Sequence, residues 1–170
     1  MSSAARLASL LGAALLVMCG CGGSADGTAV SKVPFTASDG SSTSIADFAG
    51  APLVLNMWAT NCKPCVKEMP ALDEVATELD GQVQIIGVNV FDTPQDAAAF
   101  ALDLGVGYPQ FTDPDGELSS ALSVTGLPAT AFFDAAGKLL DVHQGAYTAD
   151  ELRAAIGSRF SNLGSEGTTP

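Results

Sequence analysis

Cys62 and Cys65, separated by Lys63 and Pro64, are the residues of this chain whose types and spacing most directly suggest chemistry. Two thiols so spaced can close into a disulfide and reopen. Because the thiolate is the reactive form of cysteine, the question is what near the pair would stabilise a negative charge. Residues 53–58 form a short apolar run of the kind a strand buried on both faces needs, 59–61 read as a turn, and helical character begins at Lys63. Pro64 falls in the first helical turn, where its missing N–H costs nothing. Cys62 is therefore expected at the helix N-terminus, where unpaired N–H groups and the helix dipole favour a thiolate. On this reading Cys62 attacks to form a mixed disulfide and Cys65, one turn inside, resolves it. The competing readings are half of a zinc site or two inert core thiols. Structural zinc needs four ligands, and the rest of the 170 residues offers one histidine and two cysteines near the N-terminus, so redox chemistry is the reading taken.

Other residues of chemical interest admit two readings each. Lys63 and Lys67 either support the thiolate or are solvated surface charges. Glu68 shares a helix face with Cys65, and is either a proton carrier for the thiols or an exposed first-turn carboxylate complementing the dipole. Trp58 is expected beneath the site, in contact with substrate or as a core aromatic. His143 falls on an expected strand and is read as solvent-facing or satisfied rather than as a ligand.

Periodicity supplies the elements that must hold these groups. Val66, Met69, Leu72, Val75, Ala76 and Leu79 recur at spacings of three and four, predicting a helix over 63–79 with a kink at Pro70. Gly81 ends it, and 83–90 make a second buried strand, completing a β-α-β unit with a right-handed crossover. Thr93 is an expected N-cap for a helix buried through Ala97, Phe100, Ala101 and Leu104, followed by a short strand over 108–111. A turn at 113–116 leads to a short helix over 117–122. Strands over 130–134 and 138–144 flank a hairpin turn, and Thr148 with Glu151 forms a capping box opening a last helix to about Phe160. Ahead of the core, 33–37 and 43–45 read as a β-hairpin. Residues 161–170 are expected to be a disordered tail.

Trp58-Ala59-Thr60-Asn61-Cys62-Lys63-Pro64-Cys65, followed by Glu68-Met69-Pro70, resembles the active-site segment of thioredoxin-fold proteins, above all the extracytoplasmic TlpA/ResA-type thiol-disulfide oxidoreductases. Thr125-Gly126-Leu127-Pro128-Ala129-Thr130 resembles the loop whose cis-proline faces the cysteines in that fold. The resemblance covers about 33–160 and implies an α/β, thioredoxin-like fold. It further implies a central mixed sheet flanked by helices, an N-terminal hairpin, and a central αβ insertion over about 91–111. It implies that Leu127 and Pro128 bind substrate and that Glu68 handles protons at the cysteines. Asn56 stands where thioredoxins place a buried aspartate, and an amide cannot titrate. Asn61 departs from the aromatic residue common before the first cysteine, which bears on substrate preference. The substrates implied are exported thiol proteins, apocytochrome c among them, with a membrane thiol-disulfide protein as electron donor or acceptor. The direction of electron flow stays open. A copper chaperone on this fold would resemble Cys-x-x-x-Cys with a distal histidine, and a peroxidase would show Pro-x-x-x-Thr-x-x-Cys; this sequence has neither.

Residues 7–18 are apolar or small and follow Arg6, a length suited to a secretion signal and too short to span a bilayer. They run into Cys19-Gly20-Cys21, which resembles the lipobox of bacterial lipoproteins, with Cys21 the better acceptor because small Gly20 precedes it. A signal peptide over 1–20, a flexible tether over 21–32 and the folded domain over 33–160 are therefore expected, the domain anchored through lipid on Cys21. An ordinary cleaved signal is the alternative. Removing that leader leaves only Cys62 and Cys65 in the domain, which points to a working pair. The formal charge of −12 argues against nucleic acid as a partner. A monomer without metal or organic cofactor is expected.

Overall fold

In the computed structural model, which describes residues 27–160, strands β1 (Pro34–Ala37), β2 (Ser42–Ser44), β3 (Leu53–Trp58), β4 (Gln84–Asn89), β5 (Gln110–Thr112), β6 (Ala129–Phe133) and β7 (Leu139–Gln144) form one mixed sheet. The order is β2-β1-β5-β4-β3-β6-β7. β3 and β4 run parallel with Asn56 beside Gly87, and β3 and β6 antiparallel with Asn56 beside Thr130. Helices α1 (Gly27–Val30), α2 (Lys63–Glu78), α3 (Pro94–Asp103), α4 (Glu117–Ala121) and α5 (Ala149–Arg159) surround it.

The sheet is buried on both faces, which is why β3 and β6 lack polar alternation. Val54, Trp58 and Phe132 point into one core with Met69, Leu72 and Val75 of α2, Ala97 of α3 and Leu152 of α5. Leu53, Leu55, Met57 and Phe133 point into the other, against Leu118 of α4 and the hairpin's Phe35. The expected insertion is present as α3 and β5. It also anchors the N-terminal hairpin, since β1 pairs with β5 and Phe35, Phe48 and Phe111 stack edge and face at 5.3–6.2 Å.

Two boundaries differ in kind from the sequence reading, while the other element ends shift by at most two residues. Ile45 opens a 3₁₀ turn rather than ending a strand, because Asp47 reaches back to cap Ser44. The tether does not extend to residue 32: α1 is a helical turn, Val30 and Ser31 are buried, and the Ala46 N–H donates to the Ser31 carbonyl at 2.9 Å. The leader, Cys19, Cys21 and the 161–170 tail lie outside the described residues. Among those described, no helix is long and apolar enough to cross a membrane.

Candidate active site

β3, an interior strand, delivers the chain to one end of the sheet, and a tight turn closed by the Cys62 N–H donating to the Ala59 carbonyl (3.1 Å) starts α2. Cys62 is its N-cap. The Cys62 Sγ takes the place of the usual capping oxygen, accepting from the Cys65 N–H at 3.3 Å, with Pro64 in the first turn as expected. Cys62 and Cys65 are joined as a disulfide with Cα atoms 5.3 Å apart. Cys62 is half-buried and Cys65 wholly buried, so only the first sulfur has a path to another molecule. Asn61, Lys63 and Lys67 are exposed around it.

Because β6 lies beside β3 with Ala129 opposite Met57, the residue before it, Pro128, falls beside Trp58 at the sheet end where the cysteines sit. The Leu127–Pro128 peptide is cis, and the Pro128 carbonyl accepts from the Gly145 N–H at 2.8 Å. Next to this loop, Val90, Phe91, Val124 and Leu127 line a groove of about 370 Å³. Phe91 is 74% exposed.

Glu68 is only 3% exposed, so the exposed first-turn reading is set aside. Its carboxylate accepts from Asn56 Nδ2 at 2.7 Å and from the Tyr147 N–H at 3.3 Å. Burial pushes its pKa up to about 7, outweighing the two donors, which pull the other way. Asn56 also donates to the Thr130 hydroxyl at 3.3 Å. His143 is half-buried and stacks on Tyr147 with ring centroids 4.2 Å apart.

Trp58 is corrected from a substrate contact to a buried support: it is 0% exposed and packs on Phe100 at 5.9 Å. Its indole N–H donates to Gln110 Oε1 at 3.0 Å. That Gln110 side chain fills the space over Gly87, where an added Cβ would stand 2.2 Å from Oε1, so the glycine makes room for the bond.

Sequence reasoning missed one group of residues here. Asp92 Oδ1 accepts from the Thr60 hydroxyl at 3.0 Å, and its Oδ2 accepts from the Thr60 N–H at 3.2 Å and from Asn89 Nδ2 at 2.7 Å. The only sequence signal was Asn89 and Asp92 at the end of a strand, a pattern that ordinary loop capping also produces.

Fold and site together define a thioredoxin-like thiol-disulfide oxidoreductase. The chain belongs to the AhpC/TSA family, which residues 27–142 match. It is 32% identical over 115 residues to the thiol-disulfide oxidoreductase ResA of Geobacillus thermodenitrificans, spanning 67% of this chain and 66% of that one. A structure of MTB dsbF in its mixed oxidized and reduced forms superposes with a TM-score of 0.69 at 30% identity, covering 76% of this chain and 96% of the other. The exposed lipoprotein thioredoxin Etrx1 of Streptococcus pneumoniae superposes with a TM-score of 0.62 at 26% identity, covering 74% and 97%. Leu55 and Ala59 stand where the peroxidase pattern would place its proline and threonine before Cys62.

Proposed function

We propose that the protein is an extracytoplasmic oxidoreductase, held to the membrane by lipid on Cys21, that reduces disulfides of exported proteins. The observation that carries this reading is the half-buried Cys62 sulfur at the start of α2, with buried Cys65 behind it and buried Glu68 a turn further on. In the reduced protein the Cys62 thiolate attacks one sulfur of a substrate disulfide, forming a mixed disulfide and releasing the first substrate thiolate. Cys65 gives its proton to the Glu68 carboxylate and attacks the Cys62 sulfur. The second substrate thiolate leaves, Cys62 and Cys65 become a disulfide, and two electrons have passed to the substrate. A membrane thiol protein must then re-reduce the pair.

An extended substrate would pair with backbone of the Leu127–Pro128 loop and rest a side chain in the adjoining groove. Apocytochrome c, whose haem-attachment cysteines must be reduced, is the substrate the family resemblance favours. The membrane anchor is supported by the 7–18 apolar run ending at Gly20-Cys21 and by the likeness to an exposed lipoprotein thioredoxin.

The test is trapping in cells. Cys65→Ser should accumulate mixed disulfides through Cys62 in the membrane fraction, Cys62→Ser almost none, and adding Cys21→Ala to Cys65→Ser should move the adducts to the soluble fraction. Equal trapping by both cysteine variants would sink the order of attack. Adducts that stay with the membrane without Cys21 would sink the anchor.

A further inference from the structure

We propose that Asp92 is a positioning residue for Cys62: it holds the turn that presents the attacking thiol, and its charge restrains how much of that thiol is ionised. The inference rests on the assignment of Cys62 as the attacking sulfur. Thr60 is the second residue of the Ala59–Cys62 turn, and both its N–H and its hydroxyl donate to the Asp92 carboxylate, 32 residues away in the chain. The carboxylate is itself fixed from the other side. Asn89, wholly buried at the end of β4 beside Trp58, donates to it at 2.7 Å, while Asn89 Oδ1 accepts from the N–H groups of Phe91 (3.0 Å) and Asp92 (2.8 Å). The rigid end of β4 is thus strapped to the turn before Cys62 through an anion.

A neutral acceptor could hold Thr60 equally well, so the choice of a carboxylate has an electrical consequence. The α2 N-terminus favours the Cys62 thiolate, and Lys63 and Lys67 on the same helix add to that where they act at all. Glu68 within α2 and Asp92 from the β4–α3 loop oppose it, whereas Tyr147, whose backbone N–H donates to Glu68, offers a neutral phenol with His143 stacked behind it. Asp92 is the carboxylate bonded to the turn itself. Losing its charge should raise the thiolate fraction, and losing its oxygens should slow each thiolate's attack by loosening the turn.

The experiment is alkylation of the reduced full-length protein by iodoacetamide across pH, with the modified cysteine identified by peptide mapping. Asp92→Asn keeps an acceptor for Thr60 and should raise the thiolate fraction below the thiol pKa by about two- to threefold, with the rate per thiolate unchanged. Asp92→Ala should show the same shift and, in addition, about a tenfold lower rate per thiolate with a peptide disulfide. Thr60→Val should lower the rate without moving the pH profile, and keeps the test alive if Asp92→Ala does not fold. A pH profile of Asp92→Asn that overlays the wild type overturns the charge role. A rate per thiolate unchanged in both Asp92→Ala and Thr60→Val overturns the positioning role. Wild-type alkylation at Cys65 in place of Cys62 overturns the assignment beneath both, and mapping tells that failure apart from the other two.

Discussion

Glu68 shows what a single residue owes to distant parts of the chain. Its place on the Cys65 face of α2 was legible from a spacing of three, but its burial was not, because the Tyr147 backbone that covers it lies 79 positions away. The same non-locality hid the Thr60–Asp92 strap, whereas the cysteine pair was legible because strand, turn and helix start are consecutive. With a carboxyl pKa raised to about 7, folded Glu68 keeps a proton between its ordinary value and about pH 7 while the unfolded chain has lost it. The folded state then binds more protons, so stability must fall as pH rises through that window. Between pH 5 and pH 8 this one group should cost the oxidised protein about 2–3 kcal/mol. Denaturant unfolding of the oxidised form at pH 5 and pH 8 checks it: Glu68→Gln should lose most of that difference. The carboxylates with lowered values, Asp39, Asp47, Glu78, Asp141 and Glu151, act at more acidic pH and do not produce this slope. A slope that persists in Glu68→Gln would place the titrating group elsewhere.

Elements whose ends are signalled locally came out of the sequence within a residue or two. Thr93 caps α3 by accepting from the Asp96 N–H, and Thr148 and Glu151 form the reciprocal box of α5. α4 is different. Gly116, at its N-cap position, has a positive φ of 68° and no side chain to offer, and the capping oxygens come from Asp113, read in the sequence only as part of a turn. The Asp113 carboxylate accepts from the N–H groups of Leu118 (3.1 Å) and Ser119 (2.8 Å), and its own N–H donates to the Asn89 carbonyl. It is nearly fully buried, so water cannot replace it easily. Asp113→Ala should destabilise the protein by about 1–3 kcal/mol, since it leaves buried donors unpaired at the helix that carries Leu118 into the core. Equilibrium unfolding in urea measures this, and a loss well under 1 kcal/mol would mean that the α4 start is paired by other means.

At the scale of the whole molecule, the sheet order brings together what the chain keeps apart: the cysteine turn after β3, the Pro128 loop before β6 and the Tyr147 segment after β7 meet at one end. The parallel and antiparallel pairings were legible as a class from the β-α-β unit and the later hairpin. That arrangement sets the balance that decides which way electrons run. The α2 N-terminus and two exposed lysines stabilise the Cys62 thiolate, favouring the reduced pair and therefore an oxidant. Glu68, ionised above about pH 7 and held in place by Asn56, opposes the thiolate, and so does Asp92. Under the reductant reading proposed above, the two carboxylates outweigh the helix N-terminus and the exposed lysines, and the couple should lie nearer the thioredoxin value of about −270 mV than the strongly oxidising value near −120 mV. Each 30 mV or so corresponds to about 1.4 kcal/mol. Glu68→Gln should make the couple more oxidising, with an effect that grows as pH rises through 7, where the wild-type carboxyl ionises. Equilibration against dithiothreitol or glutathione, read by thiol trapping or by fluorescence of the buried Trp58, measures both. A wild-type potential above about −180 mV would remove the reductant reading and make the protein a disulfide-forming oxidant.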